Sequence, residues 1–420
     1  MSRKVSMSLR GALAVLAAAL SLAAVAECQE KVLYSFSDPG GAVAPASNLI
    51  SDAAGNLYGT TFYGGAFGMG MVFELSPQAG GWTLIMLHSF NIDGVDGFFP
   101  TAGVIFDASG NLFGTTQFGG TGTCGVGLAC GTVFELTPAG DGSWTEKVLH
   151  SFIGADGYQV HAGVILDGAG NLYGTTANGG SFSQGTIFEL SPHSNGKWAL
   201  RVLHNFTGSS DGGVPFGGVV LDAVGNLYGM TSAGGGSTPQ CKYGCGVVFQ
   251  LNPAQAGPHN GSVLHYFSRT TGDGRYPYAG LIVDAAGNLY GTTSAGGATN
   301  SGIVFELTPT GSGQWQETVL HDFDATSGDG VNPGGDLIFD ASGNLYGVTL
   351  TGGSDAQGTA FELTPNGSAW TETILCSFTN QGSDGYNPAA TLLLDSSGNL
   401  YGTTGRGGTA DEGAVFEITR

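Results

Sequence analysis

Five histidines share one recurring position: His88, His150, His204, His265 and His321. Tyr34 and Cys376 take the same place in two further copies. Imidazoles in such number suggest a metal or acid–base set, but a metal needs several ligands close to one point. The outer strands of neighbouring sheets are expected on the order of 15 Å apart, extrapolating from about 4.8 Å between paired strands. The histidines are therefore expected to pack singly, each with its ring N–H satisfied, and not to share an ion. A second column comprises Asp52, Asp107, Asp167, Asp222, Asp284, Asp340 and Asp395. Each opens an Asp-x-x-Gly-Asn segment, where a carboxylate accepts turn amides. A third column, Asp96, Asp156, Asp211, Asp273, Asp329 and Asp384, stands in Asp-Gly turns. Turn formation is the expected role there too, although loop carboxylates and carbonyls are also the ligands that Ca2+ takes. Trp82, Trp144, Trp198, Trp315 and Trp370 could stack on sugars, and aromatic packing at a sheet edge is the plainer role. The chain contains no G-x-S-x-G, H-E-x-x-H or phosphate-loop sequence. No catalytic residue, metal ligand set or cofactor is assigned.

A repeat must position these columns. GNLYG or a near copy begins at Gly55, Gly110, Gly170, Gly225, Gly287, Gly343 and Gly398. Four apolar runs surround each marker; in the fifth unit they are 279–284, 288–293, 302–307 and 318–323. Each has the length of an ordinary strand. Short links with Asp, Gly and Pro impose antiparallel pairing, so each unit is a four-stranded meander. Runs that are apolar at successive positions suit sheets covered on both faces. The expected fold is an all-β, seven-bladed β-propeller of four-stranded antiparallel blades. The chain opens with VLYSF (32–36), a fourth strand, and finishes with AVFEIT (414–419), a third strand. Pairing the two closes the ring with the N-terminal strand and removes two exposed edges.

Departures from the repeat point to where recognition could sit. The Thr-Thr to Val-Phe spacing is 11 residues in five units but 17 in the second and fourth. Each insertion carries a cysteine pair, Cys124 with Cys130 and Cys241 with Cys245, and two local disulfides are expected. Cys28 and Cys376 fall on outer strands of adjacent blades and are not expected to bond, since a disulfide needs Cα atoms within about 7 Å. The stapled loops should rise on one face and flank blade 3, with Tyr158, Gln159, Lys242 and Tyr243 offering aromatic and hydrogen-bonding groups. The competing account is that each insertion plugs a gap between blades. At the start of the innermost strand His161, Phe216 and Tyr278 share one position, while Asn48, Asp336 and Thr391 replace a recurrent Gly. A channel mouth with an aromatic half and a polar half would result, a candidate ligand site whose plainer alternative is drift among surface residues.

Composition narrows the partners. Glycine supplies 76 of 420 residues, and the formal net charge is −21. Such a surface repels nucleic acid and anionic lipid. Arg3, Lys4 and Arg10 precede an apolar stretch, and Ala24-Val25-Ala26 fits a small-x-small cleavage site. Residues 1–26 therefore read as a signal peptide and 27–420 as the propeller, an exported protein that is extracellular or periplasmic. No later apolar run is long enough to span a membrane, and a monomer is expected.

The run DAAGNLYGTT followed by GG and VFEL resembles the GloVer (Gloeo/Verruco) tandem repeat, often described as "choice-of-anchor". That resemblance covers essentially the whole chain after the signal peptide. It implies an exported, propeller-like bacterial protein. Members often carry a C-terminal sorting segment, whereas Arg420 directly follows a strand, so surface anchoring is not expected. Ring symmetry and the lack of a catalytic constellation favour a non-catalytic binding or scaffold module for an extracellular glycan or protein. The alternative is a propeller enzyme of lyase or lactonase type at the channel mouth, with His161 and Asp336 as its acid–base pair.

Overall fold

The structure, a computed structural model, describes residues 30–37, 43–45, 47–124, 129–236, 241–255, 261–270, 272–311 and 313–420. The expected signal peptide, residues 1–26, and Cys28 lie outside them. Among the described residues the strands form seven antiparallel sheets of four or five strands, with two short two-stranded ribbons beside them, so the molecule is a seven-bladed β-propeller. Blade 3 is typical: Ile165–Leu166, Leu172–Thr176, Thr186–Pro192 and Trp198–Asn205 pair in that order from the axis outward. The innermost strands are the main departure from expectation, since most pair over only two residues, as at Ile282–Val283 in blade 5. Their Gly-rich approaches run along the channel wall instead of staying in the sheet.

Blade 7 is completed from the other end of the chain. Glu30–Ser35 pairs antiparallel with Ala414–Ile418, with Glu30 opposite Ile418 and Ser35 opposite Ala414. This is the expected closure, and the register shift near Val32 and Tyr34 repeats the bulge between third and fourth strands of every other blade. A bulge bends a strand and re-aims its side chains. Here it sits beside the histidine column, as between Val133 and Phe134 opposite His150 and Val148.

The core is divided into seven clusters, one at each joint between blades. At every joint a Phe just after the outer strand packs on the third-strand Phe of the next blade. Phe206 meets Phe249 at 5.3 Å between centroids, and Phe267 meets Phe305 at 5.3 Å. The others are Phe36–Phe73, Phe90–Phe134, Phe152–Phe188, Phe323–Phe361 and Phe378–Phe416. This column also explains the second Gly of GNLYG. A Cβ on Gly174 would lie 2.6 Å from Phe188 Cζ, so only Gly lets the ring lie flat against the second strand.

The first aspartate column forms turns, as expected. Asp167 Oδ1 accepts the N–H groups of Ala169 and Asn171, and Oδ2 accepts Asn171 Nδ2–H and the Tyr173 hydroxyl. Burial opposes ionisation of Asp167, but these hydrogen bonds outweigh it and hold the carboxyl below its usual range. Four joints carry a further axial clasp. The Thr60, Thr115, Thr175 and Thr403 hydroxyls each donate to an inner-strand carbonyl of the next blade.

Candidate functional site

The innermost strands bring six of the expected ligand residues to one place. A cavity of about 330 Å3 at the channel mouth is lined by Asn48, His161, Phe216, Tyr278, Asp336 and Thr391, together with inner-strand glycines. Its wall has two unlike halves. In blades 3 to 5 the His161 and Phe216 rings lie 4.9 Å apart, and Phe216 and Tyr278 lie 5.1 Å apart. This aromatic arc stands two residues before Gly163, Gly218 and Gly280 on the same strands. In blades 6, 7 and 1 the pattern inverts. Gly334 and Ala389 take the aromatic position, and Asp336, Thr391 and Asn48 take the glycine position.

The polar arc is held by its own hydrogen bonds. Asp336 Oδ1 accepts the Gly280 N–H, the Asp336 N–H donates to Thr391 Oγ1 at 3.0 Å, and the Thr391 N–H donates to Asn48 Oδ1 at 3.0 Å. Burial pushes the Asp336 carboxyl above its usual range, against the lowering effect of the Gly280 N–H. Burial also depresses His161 to about 4, so its ring is neutral at pH 7. Gln117 reaches His161 Nε2 through its side-chain amide at 3.3 Å. The cavity thus offers apolar ring faces on one side and carboxyl, hydroxyl and amide groups on the other.

The remaining expected residues lie elsewhere. Tyr158 packs on the core between blades 2 and 3, and its backbone pairs with Asn178. Gln159 adopts φ 58° and binds Asn178 Nδ2 through Oε1 at 2.5 Å. Lys242 lies 5.3 Å from the Tyr243 ring centroid, and Tyr243 is 72% exposed on its loop. The cysteines of both insertions are inside joints. Cys241 and Cys245 form the expected disulfide, buried in the core between blades 4 and 5 beside Phe267 and Tyr276.

The expected Cys124–Cys130 disulfide is corrected by the structure. The two thiols meet through a hydrogen bond and are not joined to each other. Cys130 is fully buried in the joint between blades 2 and 3, and burial pushes its thiol pKa far up, which keeps it protonated. Cys376 is disulfide-bonded. The expectation that Cys28 is not joined to Cys376 rests on Cys28, which lies outside the described residues.

The histidines do not gather, but they are not isolated within their blades. Nε2 of His88, His150, His204 and His321 meets an oxygen of the Asp-Gly aspartate that follows, at 3.2, 2.9, 3.2 and 3.0 Å. At two joints a glutamate of the next blade comes within 4 Å, with Glu317 Oε1 3.7 Å from His265 Nε2 and Glu372 Oε2 3.6 Å from His321 Nε2. Each such cluster holds a single histidine, and it is a glutamate side chain that reaches across the joint. Trp198 and Trp315 pack on Phe113 and Tyr228 of the preceding blade, the plainer of their two roles. No helix among the described residues is long and apolar enough to cross a membrane.

Comparison with known proteins agrees with the architecture. A solved ulvan lyase, a polysaccharide lyase bound to a GlcA(1-4)Rha3S segment, superposes with TM-score 0.53 at 10% identity, covering 92% of this chain and 95% of that one. A protein from Bacteroides uniformis assigned as a 6-phosphogluconolactonase gives TM-score 0.49 at 16% identity, over 83% of this chain and 88% of that one. At such identities the likeness concerns the fold. No curated protein matches the sequence. The Gloeobacter/Verrucomicrobia repeat matches residues 21–239 and 236–420, nearly the whole propeller, and the chain belongs to that family.

Proposed function

We propose that this propeller is an exported, non-catalytic binding module whose channel mouth takes one or two sugar rings of an extracellular glycan. The observation that carries the reading is the division of one cavity into an aromatic arc and a polar arc. A pyranose has the same duality, with apolar C–H faces and a hydroxyl rim. Tyr278 and Phe216 supply surfaces for the faces, while Asp336, Thr391 and Asn48 receive the hydroxyls. The volume of about 330 Å3 lies at the small end of ordinary ligand pockets, which suits one or two rings. The acidic chain, of net charge −21, favours neutral over anionic glycans.

A glycan array, followed by calorimetry with the best neutral oligosaccharide, tests the reading. Tyr278→Ala and Asp336→Asn should each weaken binding by tenfold or more without changing the melting temperature by more than a few degrees. Full affinity in both variants would move the site away from the channel. Release of shortened or unsaturated sugars on incubation would replace the binding reading with an enzymatic one.

A further inference from the structure

We propose that His265, Asp273 and Glu317 form a zinc site that fastens blade 4 to blade 5, and that His321–Asp329–Glu372 and His88–Asp96–Glu146 repeat it at two other joints. In each trio the ligand atoms lie within 4.8 Å of one another. The first trio is the most open to a metal. His265 Nε2 is 3.6 Å from Asp273 Oδ1 and 3.7 Å from Glu317 Oε1. Those distances are too long for hydrogen bonds. Two donors bound to one tetrahedral zinc at about 2.0–2.1 Å stand roughly 3.3–3.5 Å apart, so a small inward movement completes the set.

Hydrogen bonding marks these atoms as unfinished. His265 Nε2, Asp273 Oδ1 and Glu317 Oε1 are all buried and lack a hydrogen-bond partner. The Asp273 side chain is only 10% exposed, and its other oxygen is already held by the N–H and hydroxyl of Ser268. The cluster therefore presents one imidazole nitrogen and two carboxyl oxygens to the same point. Buried polar groups without partners cost free energy, and a divalent cation would satisfy all three at once. One imidazole and two carboxylates suit zinc, with water as fourth ligand, whereas Ca2+ takes six to eight oxygens. In the other trios the histidine already bonds its aspartate, and Glu372 Oε1, Glu146 Oε1 and Asp96 Oδ1 remain without partners.

The distribution of the glutamate supports a joint device. At the equivalent outer-strand position blade 3 has Leu200, and in blade 4 Gly261 faces His204. There the histidines simply bond their own aspartates. The glutamate stands beside a histidine at three joints, and in blade 7 Glu30 takes the same position beside Asp384, where the histidine column holds Cys376.

Zinc titration into the chelator-stripped, dialysed full chain tests the proposal, with stoichiometry from mass spectrometry and melting temperature as a second readout. Wild type should bind up to three ions and gain several degrees. Glu317→Gln, which keeps size and shape, should lose one ion and part of that gain. Co2+ should give visible d–d bands that lose about a third of their intensity in the same variant. If Glu317→Gln fails to fold, Asp273→Asn serves the same comparison. A wild type that binds no zinc, or a folded variant that binds as much as wild type, would overturn the site.

Discussion

The joint between blades 3 and 4 and the joint between blades 4 and 5 come from one repeat, yet the polar groups they bring together differ at the axis and beside the histidine column. Both share the aromatic contact, Phe206 on Phe249 and Phe267 on Phe305. At the axis the first joint has Thr175 donating to the Gly217 carbonyl at 2.9 Å, whereas the second has Met230 in that position and no hydroxyl to give. At the rim the order reverses. His204 faces Gly261, while His265 faces Asp273 and Glu317. A ring needs every joint closed but does not need each closed by the same chemistry. The shared Phe pair supplies a common minimum, and polar fastening moves inward or outward as side chains permit.

Breaking the ring itself should have the largest effect. Deleting residues 30–35 exposes the edge of Ala414–Ile418 and should abolish cooperative thermal unfolding and cause aggregation, seen by calorimetry and size-exclusion chromatography. Phe206→Ala and Phe267→Ala should come next, each costing about 3–5 kcal/mol in urea unfolding. Near-equal losses would confirm that the joints share one aromatic core; a large inequality would break that half of the comparison.

Acidity should then separate the rims. In metal-free protein, burial chiefly, with Asp273 adding to it and His265 opposing, raises Glu317 to about 7 from 4.5. The folded state therefore holds its proton more tightly than the unfolded chain. The stability this gives is fully present below about pH 4.5 and is lost as pH rises to 7, on the order of 2 kcal/mol. Glu317→Gln should flatten that slope in a pH series of melting curves recorded with EDTA. A slope that survives the substitution would assign it to other groups. Thr175→Val should cost about 1 kcal/mol by leaving a carbonyl without its donor. Thr292→Val at the joint between blades 5 and 6 should cost nothing measurable, because the buried Thr292 hydroxyl has no partner to lose. Equal penalties would remove the axial half of the comparison.

Blade number, strand type and closure could be read from the chain because turn chemistry is local. Asp167, Gly170 and Asn171 specify a hairpin wherever they occur, and the spare strands at either end could pair only with each other. The channel mouth was legible for a related reason: inner strands of a ring must converge, so His161, Phe216, Tyr278, Asp336, Thr391 and Asn48 meet even though 343 residues separate Asn48 from Thr391. The joints were not legible. Nothing in the period says that Phe206 meets Phe249, since the contact joins one unit's end to the middle of the next. Glu30, Glu146, Glu317 and Glu372 form an interrupted column, broken by Leu84, Leu200 and Gly261, and only side-chain reach across a joint gives it meaning. Cys124 and Cys130 looked like a staple because spacing reports how near two sulfurs can come, not whether burial keeps them as thiols.

The closing strand also sets an order of events. Glu30 is among the first described residues to leave the ribosome, and its partner Ile418 is nearly the last. Six blades can complete their own meanders as they emerge, each packing on its predecessor. Throughout that time Glu30–Ser35 has unpaired edges, and blade 1 lacks a neighbour on one side. The final pairing spans almost the entire chain, and contacts so distant in sequence form slowly. Assembly of this ring is therefore expected to end with a slow docking step, before which the molecule is open at one seam and most vulnerable to association with its own copies.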